Sequence, residues 1–161
     1  MAFSKTIKTK ILNHCNRTCQ VCGYRSLTPV EILTDPSYTG RDIEVDHILA
    51  RDNGGKDTGS NAIVLCSFCN GTKGNVIVDF NALETVDVSR KSLEEYEKNV
   101  GENRKIFYTF VQASKVENFK RYLKLSLDML NDGATVKDCL KVLTRKTNAK
   151  YAEKIRKELA R

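Results

Sequence analysis

No stretch of this 161-residue chain approaches the roughly 18 consecutive apolar residues that a membrane-spanning helix requires, which excludes a helical membrane protein. The opening segment, MAFSKTIKTKILNHCNR, is basic, but it has neither an uninterrupted apolar stretch nor a small-residue cleavage site, so it does not read as a secretory signal. There is no internal repeat and no low-complexity tract. Histidine is scarce, with two in the chain, so few side chains are available to exchange a proton near neutral pH. Against these absences stands an ordinary globular composition, 40% apolar and 29% charged, which argues against disorder and suits one compact domain or two small ones sharing a core. A soluble, cytoplasmic protein with no membrane partner is expected.

Charge is unevenly placed. Residues 1–103 carry 12 lysines and arginines against 14 aspartates and glutamates, whereas residues 104–161 carry 15 against 6. Within a net charge of +7, a nearly neutral front and a basic back point the back half toward a polyanion. Basic helices also occur as merely solvated faces, so the front half must decide.

Six cysteines in a chain of this class are not expected to pair as disulfides, because the cytosol keeps thiols reduced. Four of them form two C-x2-C pairs, Cys19 with Cys22 and Cys66 with Cys69. Each pair can fold as a knuckle that presents two thiolates, and two knuckles complete a tetrahedral site. Zinc suits four thiolates because it is borderline soft and imposes little geometric preference of its own. With no open coordination position such a site is structural, one zinc ion per chain. Gly23 after the first pair and Asn70-Gly71 after the second are expected to supply positive-φ turns. Cys15 and Cys139 read as small buried hydrophobes on helix faces, and His14 as a helix-end residue.

Forty-three residues separate Cys22 from Cys66, far more than a compact finger uses. Within them, Ile43 and Val45 alternate with charges through Arg41–Ala50, as in a half-buried strand. A glycine-rich turn follows at 51–60, then a short apolar run, Asn61–Cys66, that reads as a second strand. A short helix is expected from Ser67, as a candidate N-cap, to about Val76.

The ordered set Cys-x2-Cys-Gly, Val-Asp46-His47-Ile, Gly54-Gly55, Asn61-Ala-Ile-Val-Leu-Cys66-x2-Cys69-Asn70-x2-Lys73-Gly-Asn75 resembles the zinc-containing HNH endonucleases with a ββα-metal fold. The resemblance covers roughly residues 4–78. It implies an HNN variant: His47 activates water, Asn61 braces the loop between the strands, and Asp46 and Asn70 hold a divalent ion. It also implies cleavage of double-stranded DNA to a 3′-hydroxyl and a 5′-phosphate. The residue chemistry agrees with this. A neutral imidazole at His47 can take a proton near pH 7. Asp46 and Asn70 offer hard oxygen ligands that suit Mg²⁺ or Mn²⁺ rather than zinc. Lys73, one helical turn beyond Asn70, is placed to touch a phosphate. Strand neighbours point to opposite faces, so a shared role for Asp46 and His47 requires a bend or the strand's end there.

The rest of the chain reads as helical. An amphipathic helix fits residues 4–15, a loop-rich connection with a short strand at Val30–Leu33 fits 24–40, and Ser92-Leu-Glu-Glu95 opens a helix expected to stop near Gly101. Further helices fit 104–130, Val136–Leu143 after Thr135, and Ala149–Ala160 after Asn148. Arg145, Lys146, Lys150, Lys154 and Lys157 form the basic face expected to meet DNA, by backbone contact or as a helix-turn-helix.

The expected fold is therefore α+β: a ββα-metal nuclease domain with a four-cysteine zinc site over 1–80, then an all-helical basic region over 81–161 for DNA binding or dimerisation. The expected function is a metal-dependent DNA endonuclease of restriction or phage and mobile-element type. Cutting both strands would take a homodimer, successive nicks or a partner protein. The competing class is a zinc-stabilised DNA-binding module without catalysis.

Overall fold

The computed structural model describes residues 3–89, 92–146 and 149–161, the side chains of 145, 146 and 149–151 excepted. The chain opens with α1 (Lys5–His14), where the Ser4 hydroxyl accepts a hydrogen bond from the Ile7 amide at 3.3 Å and satisfies one orphan donor of the first turn. Asn16 and Arg17 then adopt left-handed φ values of 50° and 51° and turn the chain into the first cysteine knuckle. There the Cys19 amide donates to the Tyr24 carbonyl at 2.7 Å and the Gly23 amide to the Cys19 carbonyl at 2.9 Å. Gly23 has φ +80°, and a Cβ at this position would collide with Val88, so glycine answers both the turn and the packing.

Val30–Leu33, expected as a strand, is a single helical turn, α2. Its β-branched residues suggested extension, but Val30 and Leu33 both turn inward at i,i+3 spacing, and the Thr34 hydroxyl donates to the Val30 carbonyl at 2.9 Å to close the turn. Tyr24 and Ser26 hydroxyls, at 2.8 and 2.9 Å from the Asp42 carboxylate, tie this connection to the start of the sheet.

Strands β1 (Ile43–His47) and β2 (Ala62–Cys66) pair antiparallel, with Ile43 opposite Cys66 and His47 opposite Ala62. The other edge of β2 is covered by the first knuckle: the Gln20 amide donates to the Val64 carbonyl at 2.9 Å, and the Val64 amide donates to Gln20 Oε1 at 2.8 Å. One side chain thus imitates a third strand and closes an edge. That cover is consistent with Ile63–Cys66 being buried in succession rather than alternately.

Helix α3 (Ser67–Lys73) follows β2 without a break. Ser67 is not its cap; Cys66 holds that position, with its side chain among the other cysteines rather than on the helix amides. Asn70 and Gly71 lie inside the helix, and the positive φ falls instead at Gly74 (50°), which ends the helix short of the expected Val76.

Two helices were expected either side of Gly101; the chain forms one, α4 (Leu93–Asn131), 39 residues and about 58 Å long. Ser92 caps it, accepting from the Glu95 amide at 3.2 Å. A mid-helix glycine costs only about 1 kcal/mol against alanine. Burial of Val100, Phe107 and Val111 on the face beside it outweighs that cost. Two buried asparagines on α4 hold the irregular segment before it. Asn103 accepts from the Val86 amide at 2.6 Å and donates to the Val86 carbonyl at 2.9 Å, and Asn118 brackets Ile77 in the same way at 2.9 and 3.0 Å. These side chains replace the backbone partners that a loop lying on a helix would otherwise lack.

Helices α5 (Val136–Lys146) and α6 (Ala149–Leu159) fold back on α4. Thr135 caps α5 reciprocally with Asp138, its hydroxyl accepting from the Asp138 amide at 3.2 Å. The expected cap of α6, Asn148, lies outside the described residues. Two apolar clusters result. The larger joins Leu12, Ile43, Val64 and Leu65 to Val100, Phe107 and Val111, and so crosses residue 80. The smaller gathers Tyr122, Leu143, Ala152 and Ile155.

Candidate active site

The four knuckle cysteines meet where β2, α3 and the first turn converge. Their Sγ atoms lie within 4.8 Å of one another, all buried, and those of Cys22 and Cys66 are 3.6 Å apart. A tetrahedral zinc with bonds of about 2.3 Å would separate its sulfurs by about 3.8 Å, so the donor set and its spacing fit zinc. At this range the thiols bond one another: Cys22 draws the Cys19 thiol down to about 7, the bonds from Cys19 and Cys22 hold Cys66 lower still, and the bond from Cys19 pushes Cys69 well up. Arg104 of α4 reaches this cluster. Its Nη2 lies 3.7 Å from Cys66 Sγ and its guanidinium covers the rings of Tyr24 and Phe68 at 5.5 and 5.3 Å. A cation held against sulfur offsets the negative charge of a four-thiolate site.

The sheet and α3 frame an open cleft of about 710 Å³, lined by Asp46, His47, Arg51, Lys73, Asn75 and the turn at Gly55. β1 ends at His47, which is how neighbouring residues come to share this cleft. His47 Nε2 is 2.7 Å from Asp57 Oδ1, and the Phe3 ring stacks on the imidazole with centroids 4.2 Å apart and planes inclined by 20°. The bond to His47, with Arg51 beside it, holds the Asp57 carboxyl below its ordinary range.

Asn61 stands between the strands and binds the intervening loop at three points. Its Oδ1 accepts from the Leu49 amide at 2.9 Å, and its Nδ2 donates to the carbonyls of Leu49 and Lys56, each at 3.0 Å. The loop folds so tightly round this amide that a Cβ at Gly55 would run into the Leu49 carbonyl. Tyr122 of α4 supports the same loop from behind, its hydroxyl 2.8 Å from Asn53 Oδ1, while Asn53 Nδ2 donates to the Asn75 carbonyl at 3.1 Å.

Helix α3 lies across β1 so that its residues 70 and 73 face strand residues 44 and 46. Asn70 Nδ2 donates to Glu44 Oε2 at 3.2 Å, and Lys73 Nζ donates to Asp46 Oδ2 at 3.1 Å and to the Gly74 carbonyl at 3.2 Å. Lys73 is 1% exposed, so it is an internal counter-ion of Asp46 rather than the solvated phosphate contact expected of it. Asp46 and Asn70 supply carboxylate and amide oxygens, the donor chemistry that Mg²⁺ or Mn²⁺ takes; two such oxygens leave most positions of a hard cation to phosphate and water.

A two-stranded antiparallel sheet crossed by a short helix, with a four-cysteine cluster at its root, is a zinc-knuckle ββα unit. Residues 19–76 match the family described as HNH endonuclease, and the four-cysteine group is consistent with its zinc-binding variant. No curated protein and no solved structure matches the chain. HNH nucleases act on DNA, and a domain of this kind suggests a nuclease or DNA-binding function.

Of the residues named from sequence, Asp46, His47 and Lys73 share the cleft, Asn61 braces its loop, and Asn70 points its amide nitrogen at Glu44. Lys154 and Lys157 are exposed on α6, Lys154 Nζ lying 4.9 Å over the Phe119 ring. The side chains of Arg145, Lys146 and Lys150 lie outside the described residues. Sequence reasoning missed Asp57, Glu44, Phe3 and Arg104. Asp57 sits in a polar, glycine-rich turn where an aspartate is ordinary turn chemistry, and nothing in the spacing marks Arg104, 38 residues in sequence from the cysteine it touches, Cys66.

Proposed function

We propose that the protein is a metal-dependent endonuclease that hydrolyses phosphodiester bonds in double-stranded DNA, with His47 as general base. The observation that carries this reading is the convergence of His47, Asp46 and Lys73 on one open, polar cleft whose loop is pinned by Asn61. His47 takes a proton from water, the water oxygen bonds to phosphorus, and the P–O3′ bond breaks with its electron pair leaving on O3′, which is protonated by solvent. Asp46 and Asn70 would hold a Mg²⁺ or Mn²⁺ ion, which when bound stabilises charge on the phosphoryl oxygens and the leaving oxygen. Lys73 holds the Asp46 carboxylate in place and adds positive charge at the cleft wall. The zinc cluster would tie the end of β2 and the start of α3 to the first knuckle, beside the apolar cluster that the sheet shares with α4. The exposed lysines of α6 supply sequence-independent attraction to the phosphate backbone.

A non-catalytic zinc-stabilised DNA-binding module is favoured by one observation: the Lys73 ammonium already neutralises Asp46, as in a purely structural pair. Supercoiled plasmid incubated with Mg²⁺ or Mn²⁺ separates the two. The enzyme nicks the plasmid and His47→Ala does not; if both proteins retard the plasmid on a gel and neither nicks it, the module reading stands.

A further inference from the structure

We propose that Asp57 is a positioning residue for His47: it accepts a hydrogen bond from Nε2–H, fixes the neutral ring as the Nε2–H tautomer, and leaves Nδ1 to take the proton from water. The catalytic consequence rests on the endonuclease reading above; the tautomer does not. The geometry comes from both sides of the ring. Asp57 Oδ1 lies 2.7 Å from Nε2, and among the described residues none hydrogen-bonds Nδ1. The imidazole is 12% exposed and lines the cleft, which water can enter. Phe3 stacks on the ring face and opposes a flip that would exchange the two nitrogens.

The carboxylate is itself held in position. Asn61 binds the carbonyl of Lys56, the residue before Asp57, and Arg51 Nε stands 3.6 Å from the same Asp57 oxygen. The Asn61 brace therefore has a purpose beyond loop closure: it sets the place of the group that orients the base. Which nitrogen of a histidine carries its proton is decided by the partner of the other nitrogen, and a carboxylate, having no proton to give, admits only N–H at the atom it faces.

The test uses the full-length, zinc-loaded protein with ring-¹⁵N histidine. The chain has two histidines, so loss of one set of signals in His47→Ala assigns the other. At a pH where the ring is neutral, the wild-type spectrum should show protonated Nε2 and bare Nδ1. Asp57→Asn, whose amide can donate to Nε2, should move the proton toward Nδ1 and slow plasmid nicking by about 10- to 100-fold. Zinc content and melting temperature should be unchanged, and Asp57→Glu should recover part of the rate. A wild-type ring protonated at Nδ1, or the same tautomer and rate in Asp57→Asn as in wild type, overturns the proposal. If the wild type does not nick, the endonuclease reading fails, while the spectra still decide the tautomer.

Discussion

Between Cys19 and Cys69 the chain commits five residues to each of two strands and gathers its core around four sulfurs; between Phe119 and Leu159 three helices close on Tyr122, Leu143, Ala152 and Ile155. The first region has too little regular structure to bury a sizeable core alone; it shares one with α4 and adds a cysteine cluster whose donors fit a structural metal. The second relies on apolar residues recurring at helical intervals. Order that depends on one ligand is lost all at once, whereas order spread over many contacts is lost in instalments.

The sharpest way to break this contrast is to remove the zinc. Structural zinc contributes on the order of 10–16 kcal/mol of apparent binding energy in small metal-dependent folds. Chelation, or Cys66→Ser, should free the amides of β1, β2 and α3 to exchange while those of 119–131 and 136–143 stay protected. Simultaneous opening of both regions by hydrogen exchange would erase the distinction. Next comes His47→Ala, which should lower nicking by about 10²- to 10⁴-fold with zinc content unchanged, because it removes the proton acceptor; loss of the Phe3 stack and the Asp57 bond should lower the melting temperature slightly.

The second region answers to packing. Ile155→Ala should cost about 2–5 kcal/mol in denaturant titrations and leave one zinc per chain by elemental analysis. Asn61→Ala should cost about 1–3 kcal/mol by exposing unpaired loop groups, and should also slow nicking, since the loop carries Asp57. The smallest effect is at the start of α5. Bonds from the Thr135 side chain and amide hold the Asp138 carboxyl below its ordinary range, so its contribution is complete above the usual carboxylate value of about 4 and disappears as pH falls through the lowered one. Amide exchange in the first turn of α5 should rise over that acid range while α3, without an acidic residue in its first turn, shows no such rise.

Both regions were partly legible. The knuckle spacing, the two strands and the capping residues Ser92 and Thr135 act locally, through a thiolate pair, a period of two or a side chain three residues from its amide, so the sequence displays them. What it hid is relational. Val30–Leu33 turned helical because two buried positions three apart outweighed β-branching, and α4 ran through Gly101 because the sheet and cysteine knuckles pack against the helix there. At the site, His47, Asp46 and Asn61 were found because their order with the cysteines is distinctive. Lys73 was placed on the right helix but facing the wrong way, since a sequence does not tell whether a lysine one turn past an asparagine faces water or a carboxylate. Asp57 and Arg104 act through pairings of 10 and 38 residues' separation, which only the folded chain brings together.

The Tyr122 hydroxyl on Asn53 bears on how small a working version of this molecule can be made. Trimming the chain back to the segment that matches the HNH family would strip Phe107 and Val111 from behind the sheet, take Arg104 from the sulfurs, and leave Asn53 to find another partner. A fragment that keeps these contacts must therefore extend at least to residue 122, well past the last motif a family comparison can see.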